Sequence, residues 1–186
     1  MKDECFIRGK VPMTKNEVRA ISLAKLAFRP DSMVYDIGAG TGSVAVEAAL
    51  LVPRGHVYAV ERQTEGCELI RKNQEKFAVS NLTVIHGTAP ACLAGLPVPD
   101  RVFIGGSSGN ITDILDLMLA RNPLVTMVIN CITLETMAQV MQYLTEKAVT
   151  AEVIQVQINR VEQLGGYHAL KGQNPVFVIT ISPEEE

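Results

Sequence analysis

Three short stretches carry residue types and spacings suited to holding a nucleoside-bearing ligand. The first is Asp36-Ile37-Gly38-Ala39-Gly40-Thr41-Gly42. Alternating glycines let a backbone approach a ligand with no Cβ atoms in the way. A dinucleotide loop reads G-x-G-x-x-G, and Ser43 stands where its third glycine would be; a P-loop needs Gly-Lys-Ser/Thr, and none follows. Asp36, at a strand end, can accept a hydrogen bond from a ligand ammonium, directly or through water. The second stretch is Glu61, whose carboxylate can accept both hydroxyls of a ribose at once, with Arg62 beside it. The third is Gly87-Thr88-Ala89, small enough to admit an adenine ring beside a backbone amide. Each has a plainer reading: a tight turn, a strand-end acid, an ordinary loop. The three together, at these separations, favour a ligand.

The elements that must position these stretches follow from periodicity. Thr14-Lys15-Asn16-Glu17 has the form of a capping box, with Met13 and Val18 placed as a hydrophobic staple. A helix is expected from there to Phe28, stopped by Pro30. Apolar strands are expected at 33–37, 56–60, 82–85, 101–104 and 124–130, alternating with helices at 43–52, 64–77, 111–120 and 133–147. That alternation predicts an α/β fold with a parallel sheet covered by helices on both faces. Residues 153–158 alternate in polarity, 160–174 read as irregular, and 175–181 form a last strand. No helix separates the two flanking strands, so they should pair antiparallel. The whole chain reads as one domain: an N-terminal segment and helix (1–30), an alternating core (31–150) and a C-terminal β-hairpin (151–186).

Composition narrows the function classes. Of 186 residues, 47% are hydrophobic and 20% charged, an ordinary globular balance with ample core material. A net charge of -3 gives no general attraction to nucleic acid or anionic membrane. No apolar run is long enough to span a bilayer, and the first residues lack a signal peptide's apolar core, which points to the cytoplasm. Cys5, Cys67, Cys92 and Cys131, like His56, His86 and His168, are scattered, so no metal site is expected and the cysteines should be reduced. The acidic tail 184–186 should be frayed.

The Asp-x-Gly-x-Gly-x-Gly loop, the acid closing the second strand and the antiparallel last strand resemble class I S-adenosylmethionine methyltransferases. Four stretches are more particular. They are Gly9-Lys10-Val11-Pro12-Met13-Thr14-Lys15 with Glu17-Val18-Arg19, Tyr35 to Val44, Pro99-Asp100-Arg101-Val102-Phe103-Ile104-Gly105-Gly106-Ser107, and Asn174-Pro175-Val176-Phe177. They resemble the decarboxylating cobalt-precorrin-6B C15-methyltransferase family of cobalamin biosynthesis. The resemblance implies a Rossmann-like, mostly parallel seven-stranded sheet with an antiparallel C-terminal strand, and a homotetramer. It implies methylation of a corrinoid at C15 with loss of carbon dioxide from the C12 acetate arm. It carries cofactor contacts to Thr14, to Gly38, Ala39, Gly40, Thr41 and Gly42, and to Glu61 and Ala89. One departure is Asn122-Pro123-Leu124-Val125-Thr126, which lacks the Gly-Gly expected before the fifth strand.

A corrinoid carries many carboxylates, so an acidic protein must gather cations at the mouth of its site. Arg8, Lys10, Lys15 and Arg19 are the candidates, with Arg101 and Lys171 behind them. The small-residue loop from Gly105 through Gly106 and Ser107 lies where an acceptor would enter. Asn130 and Glu135 are further candidates for the chemistry, and Tyr167 and His168 for a wall or lid over the substrate. Competing expectations are a methyltransferase for another small molecule, a protein or RNA, a nucleotide-binding oxidoreductase, and a non-catalytic Rossmann-like assembly subunit. Ser43 speaks against the oxidoreductase, and the intact loop with Glu61 against the silent subunit.

Overall fold

The computed structural model describes residues 1–183; the tail 184–186 lies outside the described residues. Five helices, α1 (Asn16–Lys25), α2 (Ser43–Leu51), α3 (Thr64–Lys76), α4 (Ile111–Arg121) and α5 (Leu134–Glu146), surround a seven-stranded sheet. Its strands are β1 (Met33–Ile37), β2 (His56–Glu61), β3 (Leu82–His86), β4 (Arg101–Ile104), β5 (Thr126–Cys131), β6 (Glu152–Val156) and β9 (Val176–Ile181), in the order β3-β2-β1-β4-β5-β9-β6. β9 runs antiparallel between β5 and β6, and β1 to β5 are mutually parallel.

Side-chain alternation along the strands divides the core into two layers. Val34, Val57, Ala59, Phe103 and Val178 face α1, α2 and the inner side of α3. Tyr35, Ile37, Val60, Val102 and Ile179 face α4 and α5. Both faces of the central strands are therefore buried, which explains their near-continuous apolar sequences. From β1 the chain winds outward through β2 and β3, then crosses to β4 on the other side. The carboxyl ends of β1 and β4 are the topological switch point, where open α/β sheets take their ligands.

Several local expectations are corrected. Helix α1 begins at Asn16 with Lys15 as its N-cap and no side-chain cap hydrogen bond, so Thr14 is not a capping residue. The Arg19 guanidinium occupies the Thr14 carbonyl, and the Glu17 carboxylate pairs with Arg160 instead of returning to the helix backbone. The helix also stops at Lys25, short of Phe28, because Ala27 turns to a positive φ of 46°. Its carbonyl there receives two hydrogen bonds from Arg101, Nε at 3.2 Å and Nη2 at 3.1 Å.

The stretch read as irregular is a separate antiparallel hairpin, β7 (Asn159–Leu164) and β8 (Tyr167–Gly172), turned at Gly165-Gly166. With nearly every residue on both faces exposed, no apolar alternation marked it. The missing Gly-Gly before β5 is replaced by side-chain chemistry. Asn122 Oδ1 accepts from the Leu124 amide at 2.9 Å, and Asn122 Nδ2 donates to the Pro99 carbonyl at 2.9 Å.

Candidate functional site

A cleft of about 270 Å³ opens at the switch point. Gly38 and Gly40 form its floor, Glu61, Arg62 and Gln63 one wall, Gly87, Thr88 and Ala89 a second, and Gly105, Gly106, Ser107 and Ser108 a third. Val11 and Pro12, from the N-terminal segment, complete it. Gly38, at φ +74°, packs directly on the next loop: a Cβ there would lie 2.4 Å from the Gly106 carbonyl oxygen. Any larger residue would pry apart the two loops that frame the cleft. Gly42, at φ +77°, makes the left-handed turn into α2, with the Ile70 side chain 3.0 Å from where its Cβ would be.

Glu61 is held more firmly than a strand-end acid need be. Its Oε2 accepts from the Gly40 amide at 2.9 Å and its Oε1 from the Gln63 amide at 2.7 Å. An ionised carboxylate offers about four lone-pair sites, so two remain for a ligand. The carboxylate thus ties the glycine loop to the start of α3 and still presents acceptors to the cleft.

Asp36 is wholly buried on the α2 side of β1 and does not line the cleft, so its expected direct contact with a ligand ammonium is not made from this position. Neither carboxylate oxygen has a hydrogen-bond partner. Burial pushes its pKa up to about 7; the Ala45 amide, near but outside hydrogen-bonding geometry, offsets part of the rise, and Glu61 adds to it. Ala39, Thr41 and Gly42 likewise turn inward, shaping the loop from behind rather than facing the cleft.

The cation candidates separate. Arg19 is 0% exposed and serves the fold: it bonds Glu47 at 2.6 Å, Asp3 at 3.2 Å and the Met1 carbonyl at 2.7 Å, and stacks on Phe6. Arg101 begins β4, so it lies at the opposite end of the sheet from the cleft, buried against Ala27. Both are thereby removed from the substrate-binding set. Lys171 pairs with Glu162 on the hairpin, and Tyr167 and His168 stand exposed on the same hairpin, lining neither the cleft nor its neighbour. Arg8 and Lys10 are exposed on the segment leading to Val11, and Glu135 is exposed in the first turn of α5. Thr14, Lys15 and Asn130 do line a cavity, a second one of about 300 Å³ that shares Pro12 and Gly105 with the cleft.

One contributor escaped sequence reading. Asn73 of α3 is fully buried and binds the N-terminal segment to the glycine loop. Its Oδ1 accepts from the Ile7 amide at 2.7 Å, and its Nδ2 donates to the Ile7 and Thr41 carbonyls at 3.0 and 2.9 Å. A polar residue on the inner face of an otherwise polar helix was the only available signal. Among the described residues no group of histidines, cysteines and acids could hold a metal ion, and the four cysteines are free.

The fold, a mostly parallel seven-stranded sheet with an antiparallel strand near one edge, is shared with solved methyltransferase structures. A family model described as a precorrin methyltransferase domain matches residues 4–182, and the chain belongs to that family. The cobalt-precorrin-6B C(15)-methyltransferase (decarboxylating) of Salmonella typhimurium is 39% identical over 188 residues, spanning all of this chain and 97% of that protein. A solved structure described as precorrin-6y C5,15-methyltransferase, from Geobacter metallireducens, superposes with a TM-score of 0.92 at 38% identity, over 98% of this chain and 97% of that one. Another, described as precorrin 8w decarboxylase from Methanobacterium thermoautotrophicum, gives 0.90 at 28% identity, over 98% of this chain and 100% of that one.

Proposed function

We propose that this protein is an S-adenosylmethionine-dependent C-methyltransferase of cobalamin biosynthesis. On this reading it methylates cobalt-precorrin-6B at C15 and removes the carboxylate of the C12 acetate arm. The observation that carries it is the pairing of two cavities across Pro12 and Gly105, one framed by the anchored Glu61 and the glycine loop, the other apolar. The donor side fits the cofactor: close-approach glycines at Gly38 and Gly40, two free acceptor sites on Glu61 for ribose hydroxyls, and small residues at Gly87, Thr88 and Ala89 for an adenine edge. Arg62 completes that lining, while Thr14 faces the neighbouring cavity across Pro12. When bound there, the cofactor supplies a methyl group already activated on sulfur.

The protein's own task is then alignment and exclusion of water. Val11 and Pro12 close the cleft from above, held by Asn73 through Ile7 and by the Lys10 amide, which donates to Glu65 Oε1 at 2.9 Å. Gly105, Gly106 and Ser107 leave a flat acceptor room to approach the donor side. Arg8, Lys10 and Lys15 supply positive charge on the N-terminal segment for a substrate rich in carboxylates.

Assembly as a homotetramer accords with the β7–β8 hairpin, which leaves Val161, Leu164, Tyr167 and Leu170 at 64%, 62%, 81% and 75% exposure. A cytoplasmic location accords with the free cysteines. The deciding experiment incubates the purified protein with cobalt-precorrin-6B and isotope-labelled S-adenosylmethionine. The product should gain one methyl and lose one carbon dioxide by mass; a methylated product that keeps the carboxylate would refute the coupled reaction.

A further inference from the structure

Resting on that reading, we propose that the second cavity receives the carboxylate-bearing arm of the acceptor, with Asn130 as the group that recognises it. At about 300 Å³ the cavity cannot admit a four-ring macrocycle, but it has room for one ring edge and its arm. The rest of the ring must lie outside. There Ile132, at the rim, and Leu134, two residues on, are each 75% exposed and offer an apolar ledge.

The lining selects an anion in an otherwise acidic protein. No Asp or Glu lines the cavity, and Lys15 does, without an ion-pair partner among the described residues. The other walls are mostly apolar, including Val18, Ile132, Ile158 and Val176, with the uncharged polar Thr14, Gln173 and Asn174 among them. The polar focus is Asn130, at the carboxyl end of β5. Its Nδ2 is buried without a partner, whereas its Oδ1 lies 3.1 Å from Ser22 Oγ. Ser22 Oγ is also 2.9 Å from the Val18 carbonyl. A hydroxyl has one proton, so it donates to only one of them at a time. Donation to Asn130 leaves Nδ2 as a free donor beside the cavity. Donation to Val18 lets the amide turn over, Nδ2 then donating to Ser22 and the oxygen becoming free. A carboxylate selects the first arrangement, and a buried unpaired donor is the group such a ligand would satisfy.

This placement suits loss of the carboxylate. Lys15 draws the charged arm in, and the aliphatic walls then strip water from an anion whose product, carbon dioxide, is neutral. The carbon–carboxylate bond breaks, its electron pair stays on the arm's methylene carbon, and that carbon takes up a proton. C15 gains the methyl and gives up its own proton, so no net proton is consumed.

The test compares two ligands in the presence of S-adenosylhomocysteine: cobalt-precorrin-6B and its decarboxylated, methylated product. Asn130→Leu should weaken the carboxylate-bearing substrate at least tenfold and the product less than twofold, with S-adenosylhomocysteine affinity unchanged as the check on folding. Equal weakening of both ligands, or of neither, overturns the assignment. Should Asn130→Leu fail to fold, Lys15→Gln, at a partly exposed position, must show the same differential at threefold or more; no differential there is equally decisive. Wild-type protein that leaves cobalt-precorrin-6B unconverted would sink the proposed function. Normal turnover without the differential would sink the pocket assignment alone.

Discussion

Replacing Glu61 by glutamine tests the cofactor-binding role proposed for the cleft while changing almost no volume. The carboxylate accepts from the amides of Gly40 at 2.9 Å and Gln63 at 2.7 Å. Of its roughly four lone-pair sites, these use two, and the proposed reading gives the other two to the ribose hydroxyls. Glutamine has one acceptor oxygen and an NH2 group, so it can serve only one of the two amides. The other N–H is left facing a second donor, a loss of about 1–3 kcal/mol for an unsatisfied buried group. Two acceptor sites for the ligand cannot survive that change. Affinity for S-adenosylhomocysteine should therefore fall about 10- to 100-fold, which corresponds to about 1.4–2.8 kcal/mol. Isothermal titration calorimetry on wild type and Glu61→Gln, with urea unfolding of each, separates binding from stability. A folded variant whose Kd stays within twofold of wild type would refute the claim that this carboxylate serves both the loop and the ligand.

Three further outcomes are expected. Asn73→Ala should lower stability by about 2–4 kcal/mol, since it strands the Ile7 amide and two carbonyls. It should also loosen Val11 and Pro12 over the cleft, and proteolysis near the N-terminus that is no faster than in wild type would contradict this. Arg19→Met should cost about 3 kcal/mol, because Glu47 and Asp3 lose their buried partner. Cofactor affinity should be unmoved, and an Arg19→Met protein with wild-type thermal stability would contradict the structural role. Asp36 sets a pH dependence. Burial raises its pKa from an unfolded value of 3.8 to about 7, so the folded state binds the proton more tightly. Stability should fall as pH rises from about 4 through 7 and level off above, by at most about 4 kcal/mol. Urea titrations at pH 5 and pH 8 should show this slope in wild type and not in Asp36→Asn; equal slopes in both would exclude it.

Much of the architecture could be read from local patterns. The alternation of apolar strands and helices predicted the parallel sheet, and the lack of a crossover before the last strand predicted its antiparallel pairing. The spacing of Gly38, Gly40 and Gly42 and the position of Glu61 are likewise local, because one strand-turn-helix unit contains each of them. What sequence could not show was what each charged side chain meets. Arg19 and Lys15 sit four residues apart, yet one is sealed against Glu47 and Asp3 and the other lines a cavity. Helix rotation and packing against α2 make that choice. Asp36 belongs to the glycine motif but turns into the α2 layer instead of towards the cleft, because the strand's period of two sends alternate side chains to opposite layers. Asn73 and Asn130 acquire their roles from partners 66 and 108 residues away. Local periodicity sets which segments become strands and helices. Long-range packing sets which of their polar groups face a ligand, because burial and hydrogen-bond partnership depend on neighbours distant in the chain.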